Sequence, residues 1–107
     1  MVRIEFLKLN AGAQAPERMT AGSAGFDLRA CLEAPVTLVP HQAVLVPTGL
    51  ALAIPPGYEG QIRPRSGLAL KHGVTLAISR GTVDSDYRGA LSVILVNHGS
   101  EPFIVNS

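Results

Sequence analysis

The residues with the clearest capacity for chemistry lie in the stretch 81–89, which reads GTVDSDYRG. It holds two carboxylates two residues apart, Asp84 and Asp86, followed by a tyrosine and bounded by glycines. Apolar, β-rich runs at 74–78 and 91–96 flank it, which predicts a hairpin with a polar connection. A carboxylate there could serve as a base, because the sheet holds the loop while the loop stays accessible. The structural alternative is an Asp-rich turn whose side chains bond their own backbone.

Two further polar stretches accompany the first. Asp27 lies in a strand-like, Gly-flanked segment, AGFDLRA at 24–30. Arg65, Ser66 and Gly67 follow a proline where a predicted strand ends, and a guanidinium, a hydroxyl and a glycine suit an oxyanion. Taken singly, Asp27 could be a solvated strand residue and Ser66 a capping residue of a turn. Together the three stretches supply an anion site, a carboxylate for hydrated Mg²⁺ and a base, which a triphosphate site requires.

The elements that must hold these residues follow a period of two along most of the chain. Val2, Ile4 and Phe6 alternate with charged residues, which predicts a half-buried first strand. The run 91–96 is apolar at nearly every position, so we expect it to be covered on both faces. One turn over 68–71 is the only helical candidate, and the pattern indicates an all-β sandwich or barrel. The strands are predicted over 2–8, 24–30, 36–39, 43–46, 49–54, 58–63, 74–78, 91–96 and 102–105.

Composition restricts the class of protein. A chain of 107 residues with 47% hydrophobic and 16% charged residues indicates one globular domain over 1–107. Its net charge is +1 without a basic run, so it offers no electrostatic basis for binding a nucleic-acid polymer. No apolar run approaches the ~18 residues of a membrane span, and the charged N-terminus is not typical of a signal peptide. Cys31 is the only cysteine, so we expect a cytoplasmic protein without an internal disulfide.

Several other kinds of site find no support in the sequence. It contains neither a GxxxxGK[ST] phosphate-binding loop nor a GxSxG nucleophile motif. His41, His72 and His98 lack the spacing of metal ligands, so we expect them on the surface or at strand ends. Cys31 stands in no motif and is expected to act as a small, buried hydrophobic residue.

The motifs AGFDLRA at 24–30, PRSGLA at 64–69 and GTVDSDYRG at 81–89 give the chain a specific family resemblance. It resembles the trimeric dUTP diphosphatases (dUTPases), three of whose five motifs appear here in order, and the likeness covers nearly the whole chain. The resemblance implies a jelly-roll-like β-barrel and a homotrimer with active sites between subunits. It also implies Mg²⁺-assisted hydrolysis of dUTP to dUMP and pyrophosphate, which clears dUTP from the nucleotide pool and supplies the precursor of dTMP.

The resemblance assigns roles to individual residues. Asp84 would be the base that deprotonates water for in-line attack on the α-phosphorus. Asp27 would contact waters of an Mg²⁺ held mainly by the triphosphate. Arg65, Ser66 and the Gly67 N–H would hold the phosphates, with Ser66 near the leaving bridging oxygen.

The resemblance also implies a nucleoside site. The ring of Tyr87 would pack under the deoxyribose and exclude a 2′-hydroxyl, while the 78–83 hairpin would read uracil with main-chain groups and exclude a 5-methyl. Asp86 and Arg88 would be structural and hold the turn. The nucleoside-binding residues are thus Ile78, Gly81, Thr82, Val83, Tyr87 and Ser92.

This sequence departs from the family pattern in two respects. Many members carry asparagine at the position of Ile78, so base reading here would depend on the backbone, and Arg80 is larger than the residue often found there. The family continues with Gly-x-Arg-Ile-Ala-Gln and a Gly-rich tail that closes over the nucleotide, whereas this sequence stops at Ser107. If it is complete, we expect a chain that folds and binds nucleotide but turns over slowly, since lids exclude water and complete the site. If further residues follow, the enzyme is whole.

Two alternatives share the predicted fold. The related dCTP deaminases usually have Ser-Ser where this chain has Ser66 and Gly67, a glutamate where it has Ile94, and no counterpart of Tyr87. Release of ammonia from dCTP would identify one. A non-catalytic nucleotide-binding or regulatory module would bind nucleotide without hydrolysis, unchanged by Asp84→Asn.

Overall fold

The computed structural model describes residues 2–77 and 81–107, so the predictions for Ile78 and Arg80 lie outside the described residues. The described chain forms short strands and a single helix, which confirms the all-β prediction. The elements are β1 (Glu5–Lys8), β2 (Val36–Leu38), β3 (Ala43–Ala53), β4 (Gly60–Ile62), α1 (Ser66–His72), β5 (Val74–Leu76), β6 (Gly81–Val83), β7 (Leu91–Asn97) and β8 (Phe103–Val105).

The described strands form three antiparallel sheets. The largest has the order β1-β3-β7-β5, while β2 pairs with β8 and β4 pairs with β6 in two-stranded sheets. The long strand β3 pairs with β7 mainly through 43–47 and with β1 through 50–53. It therefore connects the two halves of the largest sheet.

A bulge in the middle of β3 makes this double pairing possible. The sequence predicts two strands on either side of Pro47, but the structure has one strand whose register with β7 shifts between Pro47 and Leu50. Proline is tolerated at such a bulge because the ladder is already interrupted there. The buried Thr48 hydroxyl donates to the carbonyl oxygen of the first β7 residue at 2.7 Å. Gly49 has φ 71°, and a Cβ there would lie 2.8 Å from a neighbouring methyl carbon.

The predicted hairpin around the Asp-rich segment is only partly correct. The strands β5 and β7 do pair, but β6 lies between them in sequence and pairs with β4 instead. Val83, at the end of β6, packs in a buried cluster with Ile54 and Leu91. Gly60 faces Val83 across the β4–β6 ladder, and a Cβ on it would lie 2.8 Å from Ile54 Cδ1. The apolar packing of Val83 joins β6 to Leu91 of β7 and to Ile54, which directly follows β3, while the backbone ladder joins β6 to β4.

Two predictions of burial are wrong for the single chain. The regular part of the first strand begins at Glu5, and Val2, Ile4 and Phe6 are all exposed. Among the described strands β1 lies at the edge of the sheet and pairs with β3 alone, so fewer parts of the chain lie near its side chains. In β7, expected to be covered on both faces, Ile94 is 38% exposed. Exposed apolar side chains on sheet strands are typical of surfaces that another subunit covers.

The helix is longer than the single turn predicted over 68–71. It begins at Ser66, so this serine is the first helical residue and not the predicted cap. Arg65 occupies the N-cap position in an extended conformation, and no side chain caps the helix. Gly73 ends the helix with φ 70°, the left-handed conformation that glycine adopts most easily.

Asn97 is the polar residue that ties the end of β7 to its surroundings. Its side chain has 0% exposure. Its Nδ2 donates to the carbonyl oxygens of Leu38 at 2.9 Å and Glu101 at 2.8 Å, and its Oδ1 accepts from the Gly99 N–H at 2.8 Å. Each polar atom of the amide therefore has a partner, and β7 is joined to β2 and to the connection before β8.

We expect Asn97→Ala to lower the free energy of unfolding by about 1–3 kcal/mol, because it leaves buried backbone groups without partners. Urea denaturation followed by circular dichroism measures this loss. Asn10→Ala is the matched control, since Asn10 is exposed. Equal stability of the two variants would contradict the role given to Asn97.

Candidate functional site

Two of the three polar stretches meet in the folded chain. Arg65 Nη1 lies 3.7 Å from Asp27 Oδ2, which is the one salt bridge recorded between described residues. The side chain of Asp27 is 25% exposed and that of Arg65 is 65% exposed. Since the distance is longer than a direct hydrogen bond, the guanidinium keeps donors for another anion.

Asp27 lies in a loop that two backbone hydrogen bonds hold in place, and not in the strand predicted over 24–30. The only pairing there is an isolated bridge, in which the Asp27 N–H donates to the Glu17 carbonyl at 2.7 Å and the Glu17 N–H donates back at 3.1 Å. The Arg18 guanidinium lies 5.0 Å from the ring centroid of Phe26, which is exposed. The alternating pattern is present in the sequence, but no neighbouring strand extends the pairing.

Arg65 lies at the junction between β4 and α1, and the two predicted phosphate-binding residues follow it directly. Ser66 and Gly67 are the first two residues of α1 and are both exposed. A Cβ on Gly67 would meet no atom within 4 Å, so packing in this chain does not require glycine there. Glycine within a helix costs about 1 kcal/mol relative to alanine, whereas it lets a ligand approach the backbone closely.

A cavity of about 460 Å³ lies beside the Asp27–Arg65 pair. Its volume is within the range of small-molecule sites. Apolar residues of β3, β5 and β7 line it together with one carboxylate and three guanidinium groups. The charged residues lining it are Asp27, Arg29, Arg63 and Arg65.

The sequence analysis missed Arg29 and Arg63 as neighbours of this site. Arg63 Nη2 donates to Gln61 Oε1 at 2.9 Å. A signal was present, because alternate residues of an extended segment point to the same side and Arg63 precedes Arg65 by two positions. The signal for Arg29 is of the same kind, since the alternation over 24–30 predicts it on the same face as Asp27, although the structure has no strand there.

A second cavity, of about 130 Å³, is lined by four of the residues predicted to bind the nucleoside. The whole of β6 lines it, together with Ser92 of β7. The two cavities are adjacent, since Ile62, Leu76 and Val93 line both. The predicted residues around this cavity are Gly81, Thr82, Val83 and Ser92.

Asp84 follows β6 and is exposed. Because Val83 points into the core, the alternation of an extended chain turns its successor outward. The carbonyl oxygen of Asp84 accepts the Tyr87 N–H at 3.1 Å, which closes a turn. Arg88 Nη1 donates to the carbonyl oxygens of Ser85 and Tyr87, a local pattern consistent with a residue that holds this turn.

Tyr87 is held at two places and is 47% exposed. Its hydroxyl donates to the Ala90 carbonyl oxygen at 2.8 Å. A Cβ on Gly89 would lie 2.7 Å from the Tyr87 hydroxyl oxygen and 2.9 Å from Cζ. The ring therefore lies against the backbone of Gly89, in a position that a larger residue there would not allow.

Neither Asp84 nor Tyr87 is among the residues that line the two cavities. One chain therefore brings the predicted metal and phosphate residues together, but it does not join them to the predicted base around either cavity. Ile78, predicted to face the base, lies outside the described residues.

In the part of the chain that the structure describes, no group of three or more His, Cys, Asp or Glu side chains could hold a metal ion. Among the described residues that line the larger cavity, Asp27 is the only one with an acidic side chain, so a cation there would take most of its ligands from a bound phosphate or water. Over the same residues, no helix has the length and apolar character to cross a membrane.

Solved structures that resemble this chain are dUTPases with a jelly-roll-like fold. A mutant dUTPase from phage phi11 of S. aureus, solved for the coordination of a structural Mg(II) ion, superposes with a TM-score of 0.81 at 29% identity. The match covers 91% of this chain and 61% of the phage protein, so the chain spans less than two-thirds of its length. A mutant Staphylococcus bacteriophage 80alpha dUTPase with dUpNHpp gives a TM-score of 0.81 at 28% identity, over 91% of this chain and 60% of that one. This chain is therefore a jelly-roll-like β protein, as predicted.

Sequence comparison then identifies the family. The model of the dUTPase family matches residues 11–107. The deoxyuridine 5'-triphosphate nucleotidohydrolase of Chlamydia pneumoniae is 56% identical over 100 residues, which are 94% of this chain and 69% of that protein. The enzyme of the same name from Treponema denticola is 57% identical over 102 residues, or 95% of this chain and 71% of that protein. The chain belongs to the dUTPase family, and its family and fold support hydrolysis of dUTP.

We expect Gly89→Ala to displace the Tyr87 ring, because the new methyl group would overlap it. The chain has two tyrosines and no tryptophan, so in a Tyr58→Phe background Tyr87 is the only strong emitter. Displacement would increase the quenching of its fluorescence by acrylamide. Gly25→Ala is the control, since a Cβ there meets no atom within 4 Å. Identical quenching in the two variants would contradict the packing of Tyr87 on Gly89.

Proposed function

We propose that this chain is a single domain over 1–107 of a homotrimeric enzyme that hydrolyses dUTP to dUMP and pyrophosphate with Mg²⁺. The observation that carries the proposal is the contact between Asp27 and Arg65, which joins the predicted metal carboxylate to the predicted phosphate site at one cavity. The enzyme would remove dUTP from the nucleotide pool and supply dUMP. A cytoplasmic location suits Cys31, a free and half-buried thiol.

The proposed base is Asp84. Its carboxylate takes a proton from water, the water oxygen attacks the α-phosphorus, and the bond from that phosphorus to the α–β bridging oxygen breaks. Pyrophosphate then leaves with the bridging oxygen. Two features support this role: the carboxylate is exposed, and the buried Val83 beside it fixes the backbone from which it projects.

Arg65, Ser66 and Gly67 would hold the phosphates. The guanidinium contributes charge-assisted hydrogen bonds, and the backbone N–H of Gly67 is accessible because nothing fills the space beside its Cα. The Ser66 hydroxyl would lie near the bridging oxygen and donate to it as negative charge develops there.

Asp27 would hold Mg²⁺ through water. When bound, the ion neutralises the triphosphate charge and favours one arrangement of the phosphates. A single half-buried carboxylate fits an ion whose other ligands are phosphate oxygens and water, because Mg²⁺ keeps several waters and seldom occupies an all-protein site.

The nucleoside would lie along the free edge of β6. Since β4 and β6 form a two-stranded sheet, one edge of 81–83 keeps its main-chain N–H and C=O groups unpaired by any described strand. Such groups can read the uracil edge, with Ser92 across the adjacent cavity. Ile78 is included in the proposed nucleoside site by its position in the sequence. Tyr87 would then lie under the deoxyribose and exclude a 2′-hydroxyl.

Assembly of the site from different subunits would account for the placement of Asp84. Its separation from the cavity that holds Asp27 and Arg65 supports a site completed by a neighbouring chain. The exposed apolar residues of the N-terminal segment and β7 support a subunit interface, among them Phe6, Leu7 and Ile94.

We expect Asp84→Asn to reduce pyrophosphate release from dUTP by about 100- to 10,000-fold, because the amide cannot accept the water proton. Expressing the rate of the variant as a ratio to the rate of the unsubstituted chain makes the test independent of the absolute rate. Binding of dUpNHpp should persist. Asp86→Asn is the matched control, being a second exposed carboxylate of the same turn. A similar loss in both variants would overturn the assignment of the base, and release of ammonia from dCTP would overturn the reaction.

Mixed trimers test the assembly. Arg65→Gln and Asp84→Asn chains are each expected to be nearly inactive, but a co-refolded equal mixture should recover about a quarter of wild-type activity if each site combines two chains. Light scattering should give three times the chain mass of 11.2 kDa. A mixture no more active than its components would place Arg65 and Asp84 in the same chain's site.

A further inference from the structure

The salt bridge between Asp27 and Arg65 joins two residues to which the proposed function gives different ligands. One is assigned to Mg²⁺ through water and the other to phosphate, yet Arg65 Nη1 and Asp27 Oδ2 lie 3.7 Å apart, so the two charges partly neutralise each other. A phosphate group that takes the guanidinium must compete with the carboxylate. A cation that takes the carboxylate removes this competition.

We propose that Asp27 is a counter-ion that restrains Arg65 and releases it when Mg²⁺ arrives, so that Mg²⁺ and the triphosphate bind cooperatively through this pair. The inference rests on the proposed function and adds regulation of the same site. The ligand it selects is a nucleoside triphosphate already complexed with a divalent cation, in preference to the free polyanion.

The backbone indicates which partner moves. Asp27 is fixed by its two main-chain hydrogen bonds with Glu17, and the preceding Phe26 ring lies beneath the Arg18 guanidinium. Arg65 is 65% exposed, lies in extended backbone before α1, and makes no other recorded ion pair among the described residues. The guanidinium can therefore turn toward a phosphate while the carboxylate stays in place.

The charges around the cavity explain why such a restraint would matter. Arg29 and Arg63 line the same cavity as Arg65, so three guanidinium groups stand beside one carboxylate. Without Asp27 this surface would attract polyanions whether or not they carry Mg²⁺. With Asp27 in place, a bare triphosphate meets a like charge at the position that Mg²⁺ would neutralise.

Coupling of this kind is reciprocal, so Mg²⁺ should raise the affinity for the nucleotide by the same factor as the nucleotide raises that for Mg²⁺. Partly exposed ion pairs are weak, which limits the effect of releasing Arg65 to about two- to fivefold in affinity. That range is measurable by calorimetry.

The experiment measures dUpNHpp binding by isothermal titration calorimetry, in EDTA and in Mg²⁺, for the wild-type chain, Asp27→Asn, Arg65→Gln and the double variant. We expect Asp27→Asn to bind about two- to fivefold more tightly than wild type in EDTA and to gain less from Mg²⁺. In the Arg65→Gln background the gain in EDTA should largely disappear. Asp27→Ser provides a second neutral variant, and Asp86→Asn should behave as wild type.

Two results would overturn the inference while leaving the proposed function intact: unchanged or weaker EDTA binding by Asp27→Asn, or an equal gain with and without Arg65. The second would mean that Asp27 acts by simple repulsion. If the wild-type chain binds neither dUpNHpp nor inorganic pyrophosphate in Mg²⁺, the proposed function and the inference both fail. If it binds pyrophosphate alone, the same four variants titrated with pyrophosphate decide the role of the pair.

Discussion

The burial of Val83 against Ile54 and Leu91 is the contact on which the placement of the candidate site depends. Burying a valine side chain contributes about 1.5–3 kcal/mol, more than a surface carboxylate contributes through local bonds. Because side chains alternate along an extended chain, this one contact determines that Thr82 and Asp84 face outward. Gly60 makes the contact possible by leaving space for the end of Ile54. The accessible carboxylate is thus positioned by an apolar contact one residue away.

The bulge in β3 has a similar indirect role. Val46 and Thr48 line the larger cavity, so the irregular part of the strand also shapes the space beside the Asp27–Arg65 pair. The buried Thr48 hydroxyl satisfies a β7 carbonyl oxygen and also accepts the Leu50 N–H at 3.2 Å. A distortion that would otherwise leave polar groups unpaired is stabilised in this way.

The charged residues that line the larger cavity are one aspartate and three arginines, and the side chains of Asp27 and Arg65 are both partly exposed. The other residues that line this cavity are mainly apolar, with uncharged polar residues such as Gln61 and Asn106 among them. Asp84 and Tyr87 are exposed, as are apolar side chains of β1 and β7.

Much of the local structure was predictable from residue type. Period-two alternation with frequent Pro and Gly predicts short strands, because a polar or turn-forming residue at every few positions prevents long helices. The three motifs identify the family and its chemical groups, since a base, a guanidinium and a metal carboxylate are defined by side-chain chemistry. The alternative of a capping role for Ser66 is wrong, because the helix begins at Ser66 itself, two residues before the turn predicted over 68–71.

The sequence by itself determined the class of fold, the family and the candidate site residues, since these follow from local pattern and residue identity. Only the tertiary structure decided that β6 pairs with β4, that Asp27 lies in a loop bridged to Glu17, and that Arg63 and Arg65 line the same cavity. It also decided that β1 exposes its apolar side chains. The physical reason is that these features depend on contacts between residues far apart in sequence. Which distant surface covers an apolar face, or which edge accepts a strand, is settled by packing and not by local alternation.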